Sequence, residues 1–545
     1  MNELNFTIKY EVNGNKKVAT RSNEDFTLDI DQNGNEVKVT INCVKPTKFT
    51  DFSLNFNYNF NDDDKFFANG FQSWTNSKEF SKTEKMRDMG FLAKSPLNNI
   101  FGFTNVGDYN FVKYPKTSGI FHSHGYAYVT TKNGIFLIGS LSDRTGYTVI
   151  TADMNKNVIN VKKDLEGTTI SGEYVVFDLA FISGKYDEAF DEYFALMGIK
   201  KPNYPVLKGY TTWYNYYQNI NEEIVLRDLD GLSKIKNANV FQIDDGYQTK
   251  VGEWLNIDEK KFPNGIKPIA DAIHNKGLKA GIWLCPFGVQ KSSSICLQHD
   301  DWFVKDEKGK INCGSNWGGF YALDIYNEEV RAYLKKVFAT FIDYGFDLFK
   351  LDFLFAAAIV PRNNKTRGEI MYDAIDLLRE CVGDKQILGC GTPLMPCFGK
   401  TEYMRVGADM GLKWKKTFIQ KLGHREDVSS KDAIYNNLYR RHLDNRAFIA
   451  DPDVTLIRSY NIGFTFEQRK TIAKIHKLFG GVQFTSDDSA RYDDEQTKVL
   501  NFLFSDDVHK ILSVTENNDV VTIKYILNGE NKTMLLDMKN CVEIM

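Results

Sequence analysis

Between residues 209 and 488 the chain repeats one unit: a short run of large apolar residues that ends on polar or acidic ones. The runs are G-Y-T-T-W-Y (209–214), V-F-Q-I-D-D-G (240–246), K-A-G-I-W-L-C-P-F (279–287) and D-L-F-K-L-D-F-L-F (347–355). They continue with I-L-G-C-G-T-P (387–393), Y-M-R-V-G-A-D (403–409), F-I-A-D-P-D (448–453) and V-Q-F-T-S-D-D (482–488). Apolar runs bounded by turn residues read as strands buried on both faces, the signature of a parallel sheet. Helical periodicity over 221–235, 268–276, 327–343, 369–381 and 431–441 supplies most of the crossovers. Eight strands so connected predict a (β/α)8 TIM barrel. The interval between the fifth and sixth runs is too short for a helix. The long interval after Phe287 must hold an excursion over the barrel mouth.

The flanks follow a different rule. Residues 1–190 show short alternating segments, such as 36–44 and 174–179, punctuated by Asn-Gly at 13–14, 33–34 and 133–134. Asn-Gly between alternating runs signals a hairpin, so a β-sandwich is expected there, with a linking helix over 186–196. After about residue 489 the chain is again strand-like, at 508–515, 520–527 and 533–537, with Asn528-Gly529 as a turn. The expected domains are therefore an N-terminal β-sandwich (1–190), a catalytic barrel (191–488) and a small C-terminal β-domain (489–545).

Composition excludes more than it suggests. The net charge is −3, which argues against a nucleic-acid or anionic-membrane partner. No apolar run approaches the length of a membrane span. The eight cysteines are scattered and form no C-x-x-C pair, so neither a disulfide framework nor a zinc site is expected. The start, M-N-E-L-N-F-T-I-K-Y, has no basic and apolar leader, which leads to the expectation of a cytoplasmic protein. There is no H-E-x-x-H and no G-x-S-x-G, and none of the eight histidines falls in a strand-end motif, so no metal and no cofactor are expected. Homo-oligomerisation is left open by the sequence.

Carboxylates and aromatics gather at the C-terminal ends of the eight runs, the face on which barrel enzymes keep their sites. The most informative segment is L-F-K-L-D-F-L-F-A-A-A (348–358), in which Asp352 sits among apolar residues two positions after Lys350. Residues i and i+2 share a strand face, so a nearby ammonium is expected to hold Asp352 ionised. A structural ion pair is the competing explanation. Asp409 lies four residues after Arg405, at the outer end of another strand. Two inward carboxylates with aromatics and no metal motif suggest glycoside hydrolysis. Asp352 is then the nucleophile and Asp409 the general acid/base, its pKa raised by the nucleophile's charge; a salt bridge to Arg405 is the plainer alternative. Asp244 and Asp245 are candidates for a sugar's hydroxyl pair, with loop capping as the other reading of either. Trp74, Trp213 and Trp283 offer flat faces to a pyranose ring, although each taken alone is as well explained by the core.

These motifs, in this order over about 250 residues, resemble those of the α-galactosidases of glycoside hydrolase family 36, in the clan that also includes family 27. The resemblance runs through F-Q-I-D-D-G-Y, G-I-W-L-C-P-F, F-Y-A-L-D, F-K-L-D-F-L-F-A-A-A, L-G-C-G-T-P-L, M-R-V-G-A-D and D-P-D. It implies an N-terminal β-supersandwich, a (β/α)8 barrel and a C-terminal antiparallel β-sandwich. It also implies a retaining, metal-free exo-α-galactosidase acting on an α-galacto-configured oligosaccharide or glycoconjugate. The family's nucleophile and acid/base positions match Asp352 and Asp409. Its sugar-binding positions match Asp244, Asp245, Trp283, Lys350, Cys390 and Arg405; Trp213 and Trp74 match cleft aromatics. The run M-G-L-K-W after Asp409, with Lys413, and S-S-S-I-C (292–296) depart from the family pattern near the mouth. Relatives in the clan act on N-acetylgalactosamine or galactosamine, so the group at carbon 2 stays open.

Overall fold

A computed structural model describes residues 4–89, 102–415 and 423–544. Eight parallel strands form one sheet: β1 (Leu207–Thr211), β2 (Val240–Ile243), β3 (Lys279–Leu284), β4 (Leu348–Leu351), β5 (Gln386–Gly389), β6 (Tyr403–Arg405), β7 (Ile449–Asp451) and β8 (Val482–Thr485). Each pairs in parallel with its sequence neighbour through β7, and β8 returns to pair with β1. Between β7 and β8 only the Val454–Phe484 bridge closes the ring. Every residue of β1, β2, β4 and β8 is buried, as the unbroken apolar runs require. All eight strands overlap their expected runs; β1 begins two residues and β5 one residue before its run, and every strand stops two to four residues before its run ends. Asp244, Asp245, Asp352 and Asp409 consequently lie just beyond the last ladder bonds, on turns rather than in strands.

The crossover helices are Glu222–Leu232, Lys267–Asn275, Glu328–Asp343, Arg367–Val382 and Ser430–Tyr439. Side chains at the starts of four of them, Asn221, Asn327, Thr366 and Ser429, accept a backbone N–H of the first turn. Between β5 and β6 stands a single 3₁₀ turn, Met395–Cys397. The excursion after β3 builds a three-stranded antiparallel sheet (Gly288–Gln290, Asn312–Gly314, Phe320–Ala322). Two helices escaped periodicity, Phe466–Phe479 and Asp494–Leu503. Both begin with a reciprocal capping box, Thr465 with Gln468 and Asp493 with Gln496, and that was the legible sign. The segment just after residue 489 is thus helical before the chain returns to strands.

The N-terminal region is one twelve-stranded antiparallel sheet folded on itself. Its spine is the 22-residue strand Glu36–Asn57, which pairs with Ile170–Gly184 along one half and with Asn5–Val12 and Val158–Lys163 along the other. The register shifts opposite Val44–Pro46, where a proline with no N–H to donate fits a break in the ladder. The alternating burial of Asn5–Val12 places Phe6, Ile8, Tyr10 and Val12 in the sandwich core. At Asn13–Gly14 both residues have positive φ, 50° and 76°, as a two-residue hairpin turn demands. The C-terminal sheet holds four antiparallel strands, His509–Ile544, against the helix Phe466–Phe479. Among the described residues no helix is long and apolar enough to cross a membrane.

One buried cation joins sandwich to barrel. Arg440, fully buried just after the helix Ser430–Tyr439, donates to Asn69 Oδ1 (3.0 Å) and to the carbonyls of Gly70 (3.2 Å), Gln72 (3.0 Å), Ser73 (2.6 Å) and Val406 (2.7 Å). Asn436 donates to the Thr75 carbonyl and accepts the Ser77 N–H. Without Arg440 several of these acceptors would be buried and unpaired, at about 1–3 kcal/mol each. Arg440→Met is expected to raise amide exchange across residues 69–77 by roughly a hundredfold or more. Exchange in the strand Glu36–Asn57 should not change. Unaltered exchange at 69–77 would show that the loop is held by other contacts.

Candidate active site

The barrel mouth is built by side chains carried on the turns after β1 to β7. Asp352 follows β4 and is 8% exposed. Its Oδ2 accepts the indole N–H of Trp283 on β3 (3.1 Å), and its Oδ1 accepts the backbone N–H of Phe353 (2.9 Å). Phe353 has φ 53°, a left-handed conformation that is strained for an aromatic residue.

Lys350 does not pair directly with Asp352. Its ammonium donates to Asp244 Oδ2 at 2.8 Å, and Asp352 contributes only a longer-range attraction. Burial opposes the ammonium, but the Asp244 carboxylate outweighs it and holds Lys350 protonated. The expectation of a Lys350–Asp352 contact is thus corrected: after β4 ends, Asp352 no longer shares a strand face with Lys350. Asp244 Oδ2 also accepts Gln242 Nε2 (2.8 Å) and Thr211 Oγ1 (3.1 Å).

Asp245, the next residue, faces a separate set of donors. Gln218 (2.9 Å) and the Trp317 indole (2.8 Å) reach its Oδ2, and Gln248 (2.6 Å) reaches Oδ1. Burial, with the neighbouring Asp244 charge adding to it, pushes Asp245 up to about 6. Trp317 arrives from the excursion after β3 with φ 56° and packs edge-on to Trp283 (6.0 Å) and Phe353 (5.0 Å). No strand-end motif marked it, because its position depends on how a long insertion folds back.

Asp409 follows β6. Arg405 Nη1 donates to its Oδ1 at 2.8 Å, the predicted i to i+4 contact. The same guanidinium meets Asp451 Oδ2 (3.0 Å, from Nε) and Asp453 Oδ1 (2.8 Å, from Nη2). Burial opposes the charge on Arg405, but Asp451 and Asp453 keep it firmly protonated. Asp453 also accepts the Tyr214 hydroxyl (2.6 Å) and the Met410 N–H (2.6 Å). Asp352 is buried, whereas the Asp409 side chain keeps 32% of its surface in solvent. Its pKa is nevertheless pushed up to about 7, first by desolvation and then by Asp453 and Asp352, against the pull of Arg405. The Asp352 charge is thus one contributor, and not the largest.

Cys390, after β5, is buried and kept a neutral thiol by desolvation and by the nearby Asp352 charge. Trp74 enters from the sandwich and lies edge-on to Phe353 (5.1 Å) and Phe355 (6.1 Å). Gly391 (φ 60°) leaves room for it, since a Cβ there would stand 2.8 Å from the Trp74 ring. Trp213 is joined to Tyr217 (5.1 Å, edge-on); its neighbour Tyr214 is the residue that reaches the carboxylate network. Lys413 is exposed, with its stem against Gly463. Ser293 caps a short helix, and Ser294 binds Glu253, so the segment 292–296 is locally structural.

A cavity of about 230 Å³ adjoins Asp409, walled by Trp74, Phe353 and Phe355 on one side and by His424, Glu426 and Asp427 on the other. Larger grooves of about 540 and 720 Å³ lie on the sandwich face and among basic side chains such as Lys85, Arg87 and Lys539. Neither groove contains Asp352 or Asp409. Carboxyl-carbon NMR is expected to show Asp409 titrating near 7. Asp453→Asn removes a neighbouring anion and should move that midpoint down. An upward move would contradict the assigned electrostatics.

Residues 165–358 match the Melibiase family model. The α-galactosidase Mel36A of Lactobacillus acidophilus is 31% identical over 134 residues, 23% of this chain and 17% of that protein. The A type blood α-D-galactosamine galactosaminidase of Flavonifractor plautii is 32% identical over 137 residues, 23% of this chain and 13% of that protein. The matched segments thus span less than a fifth of these relatives. Over the whole chain, the α-galactosidase TtGalA of Thermus thermophilus, solved in complex with p-nitrophenyl α-D-galactopyranoside, superposes with a TM-score of 0.73 at 23% identity, covering 96% of this chain and 98% of that one. The AgaA α-galactosidase of Geobacillus stearothermophilus, of family 36, gives 0.62 at 10% identity over 97% of this chain and 80% of its own. Residues 165–358 are therefore similar to the Melibiase family, within a chain that has the fold of the family 36 α-galactosidases.

Proposed function

We propose that the protein is a retaining exo-α-galactosidase that hydrolyses terminal α-linked galactose from an oligosaccharide or glycoconjugate. The observation that carries this reading is the pairing of two unlike carboxyls at one barrel mouth. Asp352 is nearly dry and accepts two N–H donors, a setting that favours a carboxylate nucleophile. Asp409 is partly open, lies on a cavity and is pushed up to about 7, the setting of a group that gives and takes a proton. Asp352 attacks the anomeric carbon while Asp409 protonates the departing oxygen. Asp409 then takes a proton from the water that releases the sugar.

The substrate-binding roles are those that the family resemblance implies, and the geometry is compatible with them. Asp244, held by Lys350, and Asp245 face the glycone hydroxyls. Trp283 orients the nucleophile and offers its ring. Cys390 and Arg405 border the position of carbon 2, and Trp74 lies on the leaving-group side. Trp213 carries the weakest case, since the structure joins it to Tyr217. The similarity to the Flavonifractor plautii galactosaminidase supports a second reading, the same mechanism on an α-linked galactosamine or N-acetylgalactosamine. All eight cysteines are free, which suits a reducing, cytoplasmic setting.

Nitrophenyl α-galactoside, α-galactosaminide and α-N-acetylgalactosaminide assayed side by side separate the two readings. Asp352→Asn should lose roughly three to five orders of magnitude in kcat on the preferred substrate while still binding sugar. Azide should rescue Asp352→Gly and yield the β-azide. Full activity of the asparagine variant would sink the nucleophile assignment. Activity should also fall above about pH 7, as Asp409 loses the proton it must donate.

A further inference from the structure

The sandwich holds a cluster of ligand-type side chains apart from the barrel mouth. His122 and His124 stand two residues apart on the strand Ile120–His124 and so share a face. Asp108 meets both from the preceding segment: its Oδ2 lies 2.9 Å from His122 Nε2 and 2.7 Å from His124 Nε2. All three side chains are buried, Asp108 completely. Asp108 Oδ1 accepts the Tyr114 hydroxyl (2.6 Å), which leaves Oδ2 to the two imidazoles. One ligand atom from each of the three residues lies within 4.8 Å of the other two.

Hydrogen bonding alone accounts poorly for this arrangement. It puts a proton on each Nε2, both aimed at one oxygen, and leaves both Nδ1 atoms as bare lone pairs, each buried without a partner. Buried polar atoms are nearly always satisfied, and each exception needs a reason. The rings packed on the imidazoles are aromatic: Tyr114 stands edge-to-face with His122 (4.7 Å) and Phe71 with His124 (5.1 Å). Aromatic surroundings suit an N–H better than a lone pair. A cation on the Nε2 side reverses both imidazoles: each stays neutral, gives its Nε2 lone pair to the ion and carries its proton on Nδ1. The cation also supplies what Asp108 lacks. Among the described residues no lysine or arginine pairs with this carboxylate directly; Arg425 reaches it through the Tyr114 hydroxyl (3.1 Å). A carboxylate buried without a cation is costly.

We propose that Asp108, His122 and His124 form a structural site for a divalent first-row transition ion. Ligand atoms 2.7–2.9 Å apart, on bonds of about 2.1 Å, subtend roughly 80–90°. That is the cis angle of an octahedral ion with two histidines and one carboxylate on one face; water completes the coordination. Two imidazole ligands favour ions such as Co²⁺, Ni²⁺ or Fe²⁺ over Mg²⁺ and Ca²⁺, which take oxygen. The ion holds in place the segment that carries Asp108, Tyr109 and Tyr114. Tyr109 in turn donates to Glu426 (2.8 Å) and accepts the Arg425 N–H (2.9 Å), and Glu426 lines the cavity beside Asp409. The site takes no part in the steps assigned to Asp352 and Asp409, and it stands or falls independently of them.

Untagged protein, stripped with a chelator and dialysed against Co²⁺, should retain one ion per chain and unfold at a higher Tm than the stripped protein. Mg²⁺ at the same concentration should do neither. Tyr114→Phe, which takes the hydroxyl from Asp108 and keeps all three ligands, should weaken Co²⁺ binding roughly ten- to a hundredfold. His124→Asn removes a ligand and should weaken it further. Should the asparagine variant fold poorly, Tyr114→Phe and the unsubstituted protein still decide. Failure of the unsubstituted protein to retain Co²⁺ would overturn the site. So would Co²⁺ binding that is unchanged in His124→Asn or in Tyr114→Phe, or an equal effect of Mg²⁺.

Discussion

The cleft depends on a cation that never meets an anion. Arg440 is buried with its guanidinium spread over backbone carbonyls of residues 70–73 and Val406. Desolvation alone would make such a charge costly, and it brings the Arg440 pKa down to about 10. Four carbonyl dipoles and the Asn69 side chain replace the lost water. The arrangement fixes the loop that carries Trp74, and Ser73 adds two bonds to the turn after β5 through Gly391 and Thr392. Trp74 therefore belongs to one domain and the anchorage of its loop to another.

Within the mouth, charge is distributed so that each carboxylate has a different fate. Asp244 takes the full attention of Lys350, Asp245 takes three neutral donors, and Arg405 is divided among Asp409, Asp451 and Asp453. A guanidinium shared three ways holds Asp409 in place without fully suppressing its affinity for a proton. Asp352 is left with two N–H donors and no direct cation. Two N–H groups, from Trp283 and Phe353, orient it in place of an ion pair.

Much of this was legible in the chain. The eight apolar runs give the barrel in the right order, and their acidic ends give most of the mouth. The spacing of Arg405 and Asp409 gave their contact directly. The spacing of Lys350 and Asp352 misled, because alternation holds only while a strand continues, and β4 stops at Leu351. Trp317, Gln218 and Gln248 were invisible for a different reason: they come from turns and an insertion whose path is set by tertiary packing, not by local period. The helices after Thr465 and Asp493 were missed although their apolar stripes are as marked as those of helices that were expected; their capping boxes were the further sign. Trp74 was found by resemblance. Nothing in its own neighbourhood announces that an arginine 367 residues from the adjacent Ser73 will hold it.

That separation has a consequence for biosynthesis. The sandwich can close once the strand ending at Gly184 has left the ribosome, because its spine pairs only with strands up to that point. The loop carrying Trp74 must then wait for Arg440, and at translation speeds of about 5–20 residues per second the delay is on the order of tens of seconds. During the first part of that interval Trp74 lacks Phe353 and Phe355 to pack against. Nascent chains thus pass through a long stage with one finished domain and an exposed aromatic loop, the stage at which chaperone engagement or mis-association is most costly. The cleft is completed late and abruptly, with the segment that carries Arg440.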